Sequence, residues 1–251
     1  MFHVLRTAGF DIEARNHASA ILAGDFGEHV ENLVAALIGF RIGTREIIQS
    51  GGGHAEITMR LRNALVDAGW RKHTFVVKTT VDGEEREAIS HEVDHVLWTD
   101  NGTLALEIEW NNKDPFFDRD LENFQRLHAQ GAISVGILIT RGASLQSALV
   151  QIVASVLQSA GISDVAELED WGVKERTRRQ MKNLEAMLEK QVPFAQAFAR
   201  SLVSDKFGMA TTHWSKLTDR VLRGVGNPCP LLLIGLPVAI VGDYSAASEE
   251  L

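Results

Sequence analysis

Over residues 91–113 the chain reads HEVDHVLWTDNGTLALEIEWNNK, and this stretch constrains the fold most because acidic side chains recur where a core element carries apolar ones. At its centre Thr99-Asp100-Asn101-Gly102 predicts a chain reversal, since Asn-Gly supplies the positive-φ positions of a tight turn. The flanking runs alternate with a period of two, which predicts a pair of antiparallel strands. A four-residue loop sets Trp98 opposite Thr103, and counting back from there sets Asp94 opposite Glu107. Glu109 then shares their face, while Val93, Leu97, Leu104, Leu106, Ile108 and Trp110 are expected on the other.

Like charges opposed on a sheet destabilise it by up to about 1 kcal/mol per pair, and burial makes them worse. The patch is therefore either a solvated acidic face or a place where a cation belongs. The dense apolar pattern on the opposite face and the polar tail Trp110-Asn111-Asn112-Lys113 favour the cation. Sulfur-free oxygen ligands suit a hard ion such as Mg²⁺, which takes one or two carboxylates and keeps several waters. The third carboxylate is then free to orient or deprotonate a water, as phosphate chemistry requires.

The same residues contain His91-Glu92-Val93-Asp94-His95, an H-E-x-x-H sequence that on a helix marks a zinc metalloprotease. Geometry separates the readings. Residues four apart are neighbours at about 6 Å on a helix but lie about 13 Å apart on a strand. The alternation of Val93, His95 and Leu97 with Asp94, Val96 and Trp98 favours the strand.

The chain has 251 residues, 45% of them hydrophobic, enough for one sizeable core. A lone Cys229 excludes a disulfide framework and a thiolate zinc cluster, and is expected as a small buried apolar residue in a reducing cytoplasm. No apolar run reaches membrane-span length, so a soluble, unprocessed, cytoplasmic protein is expected. A net charge of −8 argues against indiscriminate nucleic-acid binding, but not against a local basic groove. Arg71-Lys72, the run 174–182, and Lys216, Arg220 and Arg223 are either solvated faces or such a groove.

In chain order, residues 1–15 suggest a short strand and turn, and 16–40 a helix interrupted near Gly24 and Gly27, with Glu31 on its surface or lent to the acidic patch. Gly51-Gly52-Gly53 is a break rather than a phosphate-binding loop. A helix over 55–68 ends at Gly69, a strand follows over 74–81, and Asp82-Gly83 turns into the acidic hairpin. Asp118 suits an N-cap for a helix stopped at Gly131, and the apolar run 132–140 predicts a strand buried on both faces. Helices over 145–160, 174–204 and 214–223 precede a last strand over 230–240 and a frayed tail from Asp243. Together these predict an α/β fold, a three-layer core with a central mixed sheet flanked by helices and a C-terminal helical elaboration. The carboxylates fall on the edge-ward half of the sheet.

Asp94 … Glu107-Ile108-Glu109, on a hairpin followed by a helix and a buried strand, resembles the P-D-(D/E)-x-K nuclease superfamily. Glu107 to Lys113, continuing through Phe116-Phe117-Asp118-Arg119-Asp120-Leu121, is similar to the BglII and BstYI group of type II restriction endonucleases, as are Gly69-Trp70-Arg71-Lys72 and the apolar run from Pro230 to Pro237. Two departures stand out. Glu92-Val93 replaces Pro-Asp before the site, and Glu109 stands where the superfamily has lysine and this group glutamine. The resemblance implies one endonuclease domain over 1–251, with a restriction-endonuclease-like core over about 70–141. It also implies Asp94, Glu107 and the Ile108 carbonyl as Mg²⁺ ligands, Glu109 as the third catalytic group, and Asn111, Asn112 and Lys113 facing the major groove, where Asn suits adenine and Lys guanine. Double-stranded DNA, a homodimer, a palindromic site related to GATC and 5′ overhangs follow from the same resemblance. A non-cutting DNA-binding or defence module of this fold is the alternative.

Overall fold

The computed structural model describes residues 1–49 and 56–242. The triple glycine at 51–53 and the tail from Asp243 lie outside the described residues. The elements in order are α1 (His3–Thr7), β1 (Asp11–Arg15), α2 (Ala18–Asp25), α3 (Gly27–Gly39), α4 (Thr44–Ile48), α5 (Glu56–Asp67), β2 (Arg71–Val81), β3 (Glu84–Thr99), β4 (Gly102–Glu109), α6 (Phe116–Ala129) and β5 (Val135–Arg141). There follow α7 (Ala143–Ser159), a 3₁₀ turn (Ala166–Trp171), α8 (Arg178–Leu188), α9 (Phe194–Lys206), α10 (Trp214–Leu222) and β6 (Leu231–Leu236). No helix among the described residues is long and apolar enough to cross a membrane.

The six strands form one mixed sheet in the order β1-β6-β5-β4-β3-β2. β4, β5 and β6 run parallel and the other neighbours antiparallel. Crossovers through helices are what parallel neighbours require, and α6 supplies the one between β4 and β5. Alternation along the strands divides the core in two. Leu104, Leu106, Ile137, Ile139, Leu232 and Ile234 pack with helices α1 to α5 and α7 to α9 on one face. Val96, Ala105, Leu138 and Leu233 pack on the other with Phe117, Leu121, Phe124 and Leu127 of α6 and Leu217 and Val221 of α10. Two helical layers thus enclose the sheet, as the sequence pattern predicts, and 50% of the chain is helical and 23% strand.

Four local expectations need correction. The chain opens on a helical turn, α1, before its first strand. In the hairpin Trp98 does face Thr103, but Thr99 still pairs with Gly102, so the reversal itself is only Asp100-Asn101. Gly102 alone in that turn has positive φ, at 142°. Helix α6 begins at Phe116, with Pro115 at its N-cap in a helical conformation; proline's fixed φ favours the earlier start. Asp118 is in the first turn and accepts from Arg220 Nε at 2.8 Å instead of capping. Lastly, Val93 packs with Val96 and Ala105 rather than on the opposite face. The β2–β3 register jumps between Arg71↔Val96 and His73↔Val93, so β3 has one extra residue there. Such a bulge resets the alternation.

Candidate active site

Residues 91–98 are strand, so the H-E-x-x-H sequence lacks the helical spacing that brings two imidazoles to one zinc. His95 turns inward, its Nδ1 lying 3.3 Å from the Leu106 carbonyl, and burial pushes its pKa down to about 4.

The bulge that displaces Val93 falls beside Asp94. The Asp94 backbone N–H donates to Glu107 Oε1 at 3.2 Å, so the two acids meet across the hairpin as the register count predicts. Glu109 follows on the same face. That face lies under α6, which leaves Glu107 only 6% and Glu109 3% exposed. Asp94 is half-buried, and its carboxylate accepts from Arg62 Nη2 of α5 at 2.9 Å, with Lys72 Nζ 3.9 Å away. Around these acids opens a cleft of about 580 Å³, lined also by Ile108, Asn112, Phe116, Arg119 and Arg126.

Helix α6 brings a fourth acid. Asp120 is 1% exposed and within hydrogen-bonding reach of the Glu109 carboxyl. Its Oδ1 accepts from Arg119 Nε at 2.8 Å and Nη2 at 2.7 Å, whereas Oδ2 has no partner among the described residues. Burial is the chief cause that raises the pKa of all three inner acids. For Glu107 the Asp120 and Asp94 charges add to it and push the carboxyl well above its usual range. Glu109 is raised to about 8, again with help from Asp120, and Asp120 itself is raised.

The turn after β4 is fastened from both sides. Asn112 Nδ2 donates to Glu109 Oε2 at 2.7 Å, and the Asn112 carbonyl accepts from Thr212 N at 2.8 Å. Thr140 Oγ1 donates to the Glu109 carbonyl, and the fully buried Arg141 donates to the Trp110 carbonyl and to Thr211 Oγ1. Asn112 thus faces the cleft. Asn111 Oδ1 is buried without a partner among the described residues, and Lys113 is exposed and bridged through its backbone to Thr211. Glu31 is exposed on α3 and does not line the cleft.

The expected trio is therefore brought together, and Arg119 and Asp120 join it unannounced. A signal for Asp120 does exist. It sits on the apolar stripe of α6 with Phe117, Leu121 and Phe124, where an unpaired acid is not expected.

The donor set fits a hard cation. It is all oxygen, largely buried and short of positive charge. Among the described residues no three His, Cys, Asp or Glu side chains already converge as a full ligand shell, which suits an ion that keeps most of its waters.

No curated protein matches the chain. A family model described as restriction endonuclease BglII/BglIII matches residues 10–236, from the turn before β1 to the end of β6, and the acidic hairpin and α6 fall inside that span. The chain belongs to the BglII/BglIII restriction endonuclease family, and so to the sequence-specific nucleases.

Proposed function

We propose that the protein is a homodimeric, Mg²⁺-dependent type II restriction endonuclease that hydrolyses both strands of a short palindromic DNA site, with residues 1–251 acting as one endonuclease domain in the cytoplasm. The observation that carries this reading is the meeting of Asp94, Glu107 and Glu109 at one buried cleft with too little positive charge to balance them. Buried like charges are retained against stability where chemistry needs them. A GATC-related site with 5′ overhangs is the reading by family analogy.

Asp94, Glu107 and the Ile108 carbonyl are the groups that would hold Mg²⁺. When bound, the ion stabilises negative charge on the phosphate and on the attacking oxygen. Glu109, fixed by Asn112, is placed to accept a proton from the attacking water, and its raised pKa makes it a stronger base than an ordinary carboxylate. Asn111, Asn112 and Lys113 lie directly beyond Glu109 and are the proposed base-reading residues. Because Asn112 also holds Glu109, engagement of that turn with bases would alter the support of the catalytic carboxylate.

Purified protein incubated with unmethylated plasmid and Mg²⁺, with the ends mapped by sequencing, tests the reading. Discrete fragments with one shared end sequence are expected. Asp94→Ala and Glu107→Ala should abolish cleavage while leaving DNA binding intact or tighter. DNA left intact across varied sequences would favour the non-cutting alternative, and wild-type rates in either variant would remove this site.

A further inference from the structure

We propose that Arg119 is the phosphate-contacting side chain of this cleft, and that the buried Asp120 is there to aim it. The inference rests on the nuclease reading above and adds to it a residue that neither the carboxylate pattern nor the family resemblance assigns.

A cleft rimmed by acids repels a phosphodiester, so some cation must offset that repulsion where the strand enters. Arg62 is committed to Asp94 through its Nη2, and Arg126 pairs with Glu122 one turn further along α6. Arg119 is placed differently. Its side chain is 54% exposed, lines the cleft, and has Nη2 3.6 Å from Glu109 Oε1. Its guanidinium lies 4.4 Å from the centre of the Phe116 ring, which also lines the cleft. Two of its nitrogens, Nε and Nη2, bind one oxygen of Asp120, and Nη1 has no partner among the described residues.

That arrangement suits holding a guanidinium in one orientation. A planar fork gripped along one edge and stacked on an aromatic ring keeps its remaining N–H groups available for phosphate oxygens. It also accounts for Asp120. A carboxylate 1% exposed beside Glu109 adds to the crowding of acids, and the N–H groups it accepts from both belong to Arg119. Asp120 is thus a positioning residue that acts through Arg119, while Arg119 touches the substrate.

The test uses the full-length protein and a duplex carrying the cleavage site mapped from the plasmid digest. Single-turnover cleavage is measured with Mg²⁺, and binding with Ca²⁺ across a salt series. In Arg119→Gln, cleavage should fall roughly 100-fold, as when one donor to a developing negative charge is removed. The slope of log affinity against log salt should shrink by about 0.9, the loss of one phosphate contact. Asp120→Asn should lower cleavage by about tenfold while leaving the salt slope nearer to wild type, because the charge remains but its aim is loosened.

A residue that merely neutralises Glu109 and Asp120 would leave the salt slope unchanged. An unchanged slope in a folded Arg119→Gln protein that binds the duplex therefore overturns the proposal. Should Arg119→Gln fail to fold, Arg119→Lys decides. It keeps the charge but cannot grip Asp120 through two nitrogens, so cleavage about tenfold below wild type is expected and a wild-type rate overturns the assignment. Wild-type protein that cuts nothing defeats the nuclease reading itself, an outcome distinct from these.

Discussion

Glu107, Glu109 and Asp120 are acids that folding makes harder to ionise, the reverse of a salt-bridged carboxylate, and the sign of their effect on stability follows. Glu109 gives up its proton near 4.5 in an unfolded chain and at about 8 in the fold. Between those values the folded chain holds more protons than the unfolded one, so stability falls as pH rises. Below about 4.5 this contribution vanishes, and above about 8 the penalty is fully developed. Across that window one such carboxyl costs about 1.4 kcal/mol of stability for every pH unit climbed, and Glu107 moves in the same direction. The melting temperature of the metal-free protein is therefore expected to decline between about pH 5 and pH 8. Glu109→Gln should melt higher near neutrality and with a flatter profile, and Mg²⁺ should raise the wild-type melting temperature most at the alkaline end. Thermal melts with and without a chelator check both. A wild-type profile that rises over this range would mean that the inner acids are balanced by charges other than those described.

Among the elements, α6 decides whether the site exists, because it lies over Glu107 and Glu109 and contributes Arg119 and Asp120. Its distance from the sheet is set at Gly136 on β5, where a Cβ would lie 2.4 Å from Phe124 Cδ2 and 2.8 Å from Cγ. Contact with Cγ means that spinning the ring gives no relief, so Gly136→Ala must push the helix outward. Overpacking of this kind costs about 1–3 kcal/mol, and a lifted α6 should weaken cleavage beyond the loss of stability. Denaturant midpoints and single-turnover rates measure the two effects, and adding Phe124→Leu to Gly136→Ala should recover part of both. The run from β2 through β5 was legible because each of its signals is local: alternation in the strands, Asp82-Gly83 and Asn101-Gly102 at the turns, and an apolar stripe along α6. Even the meeting of Asp94 with Glu107 followed from counting residues across one turn. The bulge beside Asp94 was not legible, since one extra residue in β3 makes sense only against β2, whose partners the sequence does not name. Arg119 and Asp120 escaped for a related reason. Their partner Glu109 lies on another element, and the spacing between helix and sheet that joins them depends on a glycine in a third.

At the scale of the whole molecule, each chain carries one set of these carboxylates, near the β2 side of an open sheet. One set can attack one phosphodiester in one orientation, and the two strands of a duplex run in opposite directions. Cutting both at a palindrome thus calls for two chains related by a two-fold axis that coincides with that of the DNA. A net charge of −8 leaves little general attraction to the duplex, so productive binding relies on the specific site, where two chains engage together. The consequence is testable without knowing the dimer surface. When wild-type chains are mixed with excess Glu107→Ala chains and allowed to exchange, most wild-type chains should sit beside an inactive partner. Supercoiled plasmid should then accumulate as nicked circles, whereas wild-type protein alone gives linear DNA. Light scattering should give twice the chain mass both in solution and on a short duplex. Linear product without a nicked intermediate in the mixed population, or a monomer on the duplex, would mean that a single chain cuts both strands by turning over on its site, and the two-fold match would have to be given up.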